Sequence, residues 1–73
     1  MKYQVIFERA DDGTVWAYTP ELPVATGCGG TIDEARASLV EGVQVWMEVA
    51  KERGTPIPRP SVLAVETLDV SVA

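Results

Sequence analysis

The side chains able to do chemistry are few. Glu8, Asp11 and Asp12 put three carboxylates around one candidate hairpin, and oxygen ligands of that kind suit a divalent cation. Two of the three are neighbours in a turn, where Asp recurs for backbone reasons alone, so we expect no metal there. Cys28 is the only cysteine, and the chain has no histidine. A thiol with no imidazole lacks its usual activating base, and neither an intrachain disulfide nor a cysteine-rich zinc site can form. Cys28 therefore reads as a small, half-buried apolar residue. Gly27-Cys28-Gly29-Gly30 leads into a helix start, a place that can hold an anion. No basic residue follows until Arg36, however, and the glycine order matches no phosphate loop. A tight turn ahead of a capped helix is expected instead. No catalytic residue, cofactor or metal is expected, and the chain reads as a non-enzyme.

The elements that would position these residues follow from local patterns. Residues 2–9 alternate, with Tyr3, Val5 and Phe7 on one face and Lys2, Gln4, Ile6 and Glu8 on the other, which predicts a strand. Asp11-Asp12-Gly13 is a hairpin signal, and 14–19, rich in β-branched and aromatic residues, predicts a second strand. Pro20 and Pro23 then stop pairing. Residues 24–28 suit a short third strand, after which Gly27, Gly29 and Gly30 are expected to turn the chain. Thr31-Ile32-Asp33-Glu34 is a capping box for a helix running to about Arg53, with Gly54 as its C-terminal cap. Three prolines between 55 and 60 make an extended connector, and 62–70 predict a last strand. The expected fold is α+β, a two-layer β-β-β-α-β sandwich with one helix packed on an antiparallel-rich sheet.

On the helix, Ile32, Ala35, Leu39, Val43, Trp46 and Ala50 fall on one arc and should cover the sheet. Val40 and Met47 widen it on one flank and Val49 on the other, while Val45 lies outside. A 22-residue helix is ~33 Å long, against ~20–23 Å for a strand of six or seven residues, so its second half should overhang. In the last strand Val62, Ala64, Leu68, Val70 and Val72 oppose Leu63 and Val65, leaving neither face polar. These surplus apolar surfaces predict self-association, for which Val40, Met47 and Val49 are the candidate residues. Glu34, Glu41, Glu48 and Glu52 form an acidic ridge that reads as a solvated helix face. Trp16 and Tyr18 share one face of the second strand and are either interface anchors or core under the helix.

Length and composition set the outer limits. Seventy-three residues make one small domain with 47% apolar and 23% charged residues. So small a core benefits from a subunit interface. Six basic against eleven acidic residues give a net charge of -5, which disfavours direct nucleic-acid binding and leaves a basic protein partner possible. With neither signal peptide nor membrane-length apolar run, a cytoplasmic location is expected.

Three runs together, 17–23 (AYTPELP), 29–35 (GGTIDEA) and 54–61 (GTPIPRPS), resemble the HicB-like antitoxin family. That family pattern reads as an aromatic strand, Pro-x-Leu-Pro-Gly, a Gly-Asp-Thr helix start and Gly-x-x-Ile-Pro-x-Pro-Ser. Val24, Ala25 and Gly30 stand where the pattern has Gly, Cys and Asp. The resemblance implies a truncated RNase H-like fold over 1–73 as a single HicB-like domain, without the C-terminal DNA-binding domain of many members. It implies binding and neutralisation of a small basic HicA-like mRNA-cleaving toxin. Trp16, Tyr18, Glu21 and Leu22 are the candidate partner-binding residues. An RNase H-type nuclease would need several convergent carboxylates holding two metals, and only Glu8 lies on the first strand. The alternative from another class is an orphan homo-oligomer, dimer or higher, with a structural or ligand-binding role and no toxin.

Overall fold

A computed structural model describes residues 2–22 and 25–71. Three strands, β1 (Ile6–Arg9), β2 (Val15–Tyr18) and β3 (Thr26–Gly29), precede one helix, α1 (Ile32–Arg53). The strands form an antiparallel meander in the order β1-β2-β3. This is the α+β arrangement of one helix on an antiparallel sheet. Pro23 and Val24, in the proline-bracketed stretch and at the start of the expected third strand, and Val72, in the expected last one, lie outside the described residues.

The β1–β2 hairpin closes as its sequence dictates. Ala10 N–H donates to the Thr14 carbonyl at 2.8 Å and Gly13 N–H to the Ala10 carbonyl at 2.9 Å. Gly13 takes φ 89°, open to glycine and costly for other residues. Thr14 N–H donates to Asp12 Oδ1 at 2.9 Å, the side chain mimicking a backbone turn. β1 is shorter than expected because β2 ends early. Pro20 has no N–H, and Leu22 N–H turns back onto the Thr19 carbonyl, so residues 2–5 have no ladder to join.

The capping box forms. The Thr31 hydroxyl accepts from Glu34 N–H at 3.1 Å, and Glu34 Oε2 reaches back one residue beyond the cap to accept from Gly30 N–H at 2.9 Å. At the far end Gly54, at φ 69°, donates to the carbonyls of Ala50 and Lys51.

Strand register decides what the helix covers. Phe7 opposes Ala17, and Ala17 opposes Gly27; Arg9 opposes Val15, and Val15 opposes Gly29. Val15 and Ala17 are buried with Ala35 and Leu39, and Phe7, Ala25 and Val43 pack around them. Gly27 and Gly29 were expected to turn the chain; they lie instead inside β3, facing the helix. A Cβ on Gly27 would overlap the Leu39 amide and the Ala35 carbonyl and stand 2.8 Å from Leu39 Cα. One on Gly29 would stand 2.5 Å from Glu34 Cβ. The helix thus sits directly on the β3 backbone, and to a lesser extent on β2, leaving β1 largely uncovered. Ile32, expected on the helix arc that covers the sheet, is 47% exposed for that reason.

No strand forms over 62–70 among the described residues, which corrects the expected fourth strand. The Glu21 carboxylate takes the Ser61 and Val62 N–H groups, and beyond them Leu63 and Leu68 are 100% and 84% exposed. A segment apolar on both faces needs cover on both, and among the described residues Leu63, Val65, Leu68 and Val70 receive little. The radius of gyration is 14.5 Å, against ~11 Å for a compact domain of this length.

Candidate protein-binding face

Because small residues point at the helix, the bulky ones of the sheet point away from it. Ile6 opposes Tyr18, Glu8 opposes Trp16, Trp16 opposes Cys28 and Tyr18 opposes Thr26. These six share the face opposite α1. Trp16 is 42% exposed at its centre, Glu8, Thr26 and Cys28 are exposed, and Ile6 and Tyr18 are half-buried. The choice left open for Trp16 and Tyr18 is thereby decided: neither lies under the helix.

Tyr18 donates its hydroxyl to Glu8 Oε1 at 3.0 Å, diagonally across the hairpin. That bond, with some burial and the charge of Glu8, raises the Tyr18 pKa, so the phenol stays a donor. In the register Glu8 stands opposite Trp16. An anion next to an exposed indole is suited to a Lys or Arg side chain, which gains from the ring face and the negative charge together.

Glu21 and Leu22, placed with Trp16 and Tyr18 on the candidate surface, are interior instead. Leu22 is 1% exposed and Glu21 8%. The Glu21 carboxylate accepts from Gln4 N–H at 3.1 Å, from Val62 N–H at 2.7 Å and from Ser61 N–H. The Val62 bond above all, then Gln4, holds its pKa below the ordinary value of 4.5, against an opposing effect of burial. It fastens three segments of its own chain. Nothing in the sequence beyond an acid between two prolines pointed to that role.

Of the self-association candidates, Val40 and Val49 are exposed and Met47 is half-buried; Val45 is 61% exposed. Glu34, Glu41, Glu48 and Glu52 of the acidic ridge are exposed, with the Glu34 carboxylate tied to Gly30 N–H. Among the described residues no group of three or more His, Cys, Asp or Glu is placed to hold a metal, so Glu8, Asp11 and Asp12 do not converge. Asp12 is occupied by Thr14, whose N–H lowers its pKa. The Cys28 thiol is free and exposed, while its backbone N–H donates to Ser38 Oγ on the helix at 3.2 Å. Among the described residues no helix is long and apolar enough to cross a membrane.

The chain belongs to the UPF0150 family. It is 48% identical over 54 residues to UPF0150 protein ssl0738 of Synechocystis sp., an alignment covering 70% of this chain and 75% of the relative. It is 34% identical over 59 residues to UPF0150 protein Ta0767 of Thermoplasma acidophilum, covering 81% and 86%. No family model and no solved structure matches.

Proposed function

We propose that this protein is a non-enzymatic, antitoxin-like binding module that occupies a small basic HicA-like mRNA-cleaving toxin in the cytoplasm, using a truncated RNase H-like scaffold. The observation that carries this reading is the open sheet face, with Trp16 exposed beside the Glu8–Tyr18 pair. Aromatic side chains flanked by fixed polar groups anchor protein interfaces, and a chain of net charge -5 attracts a basic partner. The order of the three HicB-like runs supports the choice of partner.

The test is recovery of the tagged chain from its host, followed by co-expression of the recovered partner. A small basic protein should co-elute in fixed stoichiometry and arrest growth when expressed alone. Co-expression of this chain should restore growth, and Trp16→Ala should abolish the rescue while leaving the fold intact. Recovery without a partner, or rescue unaffected by Trp16→Ala and Glu8→Gln together, refutes the reading.

A second reading is favoured by a separate observation. Val40, Val45 and Val49 on the helix and Leu63, Val65, Leu68 and Val70 beyond it all lie exposed. A homo-oligomer without a toxin accounts for them, and light scattering of the isolated chain tests it.

A further inference from the structure

Two incomplete surfaces occur in this chain, and each has what the other lacks. The first is the outer edge of β1, which no strand pairs among the described residues. Next to it an open depression is lined by Phe7, Glu8, Arg9, Val15 and Ile32. It exists because α1 sits over β3 and β2. The Arg36 guanidinium lies 5.3 Å from the centre of the half-buried Phe7 ring. The opposite edge of the sheet differs, since α1 packs over β3 and Ser38 takes the Cys28 N–H.

The second surface is the segment from 63 to 71. It forms no regular structure, lies outside the compact body and carries Leu63, Val65, Leu68 and Val70 in the open. β-Branched and leucine side chains on both faces describe a strand meant to be covered on both. Nine extended residues span ~30 Å, and the four residues of β1 span ~13 Å, so the edge can pair with part of the segment. The segment's charged residues, Glu66 and Asp69, are both acidic, and Arg9 at the end of β1 is basic.

We propose that residues 63–71 of one copy add as a strand to the outer edge of β1 in a second copy, and reciprocally, forming a two-fold dimer. The Glu21 carboxylate fixes where the exchanged segment leaves its own body, by holding Ser61 and Val62. Added there, the segment presents one row of apolar side chains to the depression beside Phe7 and Ile32, and the other to the open sheet face beside Ile6. Unpaired strand edges recruit further strands in this manner, and the reciprocal contact closes the assembly. The proposal deepens the self-association reading and is independent of the toxin.

The experiment is sedimentation equilibrium on the full chain and on the double variant Leu63→Asp/Leu68→Asp. Both leucines are exposed in the single chain, so the helical circular dichroism signal should be unchanged. The parent should be a dimer at micromolar concentration, and the variant's dissociation constant should rise about a hundred-fold or more. In a second measurement, Cys28→Ser/Thr67→Cys carrying a nitroxide is mixed with isotope-labelled, unmodified chain. Paramagnetic broadening of the Ile6–Arg9 amides in the labelled copy is expected. A dimer unaffected by the leucine changes, or broadening on β3 or α1 instead, overturns the exchange and leaves self-association through another face. A monomer at every concentration overturns both.

Discussion

Replacing Gly27 by alanine adds one methyl group where the helix leaves no room. The added carbon would lie 2.8 Å from Leu39 Cα and closer still to the Leu39 nitrogen and the Ala35 carbonyl oxygen. Favourable carbon–carbon separation is ~3.5–4.0 Å, so the helix must withdraw by about 0.7–1.2 Å. A gap of that size forfeits roughly a quarter to a half of each dispersion contact across it. The contacts concerned are those of Val15, Ala17, Ala35 and Leu39, the buried cluster itself. Overpacking alone costs about 1–3 kcal/mol; with the opened interface we expect about 3 kcal/mol or more. Total stability for a chain of this length is roughly 4–11 kcal/mol, so the variant should be marginal. The midpoint of thermal unfolding should fall by at least about 12 °C. The assay is thermal unfolding followed by far-ultraviolet circular dichroism at fixed protein concentration, because association shifts the midpoint. Combining the change with Leu39→Ala sharpens the test. The colliding atoms are backbone, so trimming Leu39 should add its own loss and rescue nothing. A Gly27→Ala protein within about 0.5 kcal/mol of the parent, or a rescue by Leu39→Ala, would refute the account of how helix and sheet meet.

The other expectations concern separate parts of the molecule. Gly42→Ala should stabilise by about 0.5–1 kcal/mol, because its Cβ would meet only the Ala25 Cβ at 3.5 Å and the Thr26 carbonyl oxygen at 4.0 Å; urea unfolding reads it. Thr31→Ala removes the acceptor for Glu34 N–H and should cost about 1 kcal/mol in the same assay. Glu21 is held below its ordinary pKa of 4.5, so its contribution is complete above that pH and is lost as the pH falls through the lower folded value. Glu21→Gln should therefore flatten the acid limb of the stability–pH curve; an unchanged limb would show that the carboxylate does not act as a staple. Glu8→Gln should bring the ionisation of Tyr18 back toward its ordinary value of 10.0, followed by tyrosinate absorbance in a Tyr3→Phe background.

What the sequence disclosed was whatever neighbouring residues settle among themselves. The Asp12-Gly13 turn and the Thr31–Glu34 box are each complete within four residues, and both formed as expected. The glycines of β3 were misread because glycine is a turn residue by default. The overlooked signal was their alternation: Gly27 and Gly29 share a face, like Val15 and Ala17 on β2, and small residues on one strand face mark the close approach of a helix. The stretch 62–70 has strand composition, but a strand also needs a neighbour, and composition does not say which chain supplies it. Tyr18 and Trp16 were legible as a pair, their side only through the register. Glu21 was placed on the surface because a carboxylate between prolines has no local sign of the three amides, from residues 4, 61 and 62, that close around it.

The division of the sheet into a side of small residues and a side of large ones has a consequence for how such a protein changes over generations. Under the helix, Val15, Ala17, Gly27 and Gly29 are fixed by packing, and nearly any enlargement there is penalised. On the reverse, Glu8, Trp16 and Thr26 are exposed and carry no such packing constraint among the described residues. Mutations can then accumulate on one side of a four-residue strand while the residues between them stay still. If the open face meets the proposed partner, recognition and folding are inherited almost as separate traits, and a lineage could exchange one partner for another without first having to stabilise the scaffold that presents it.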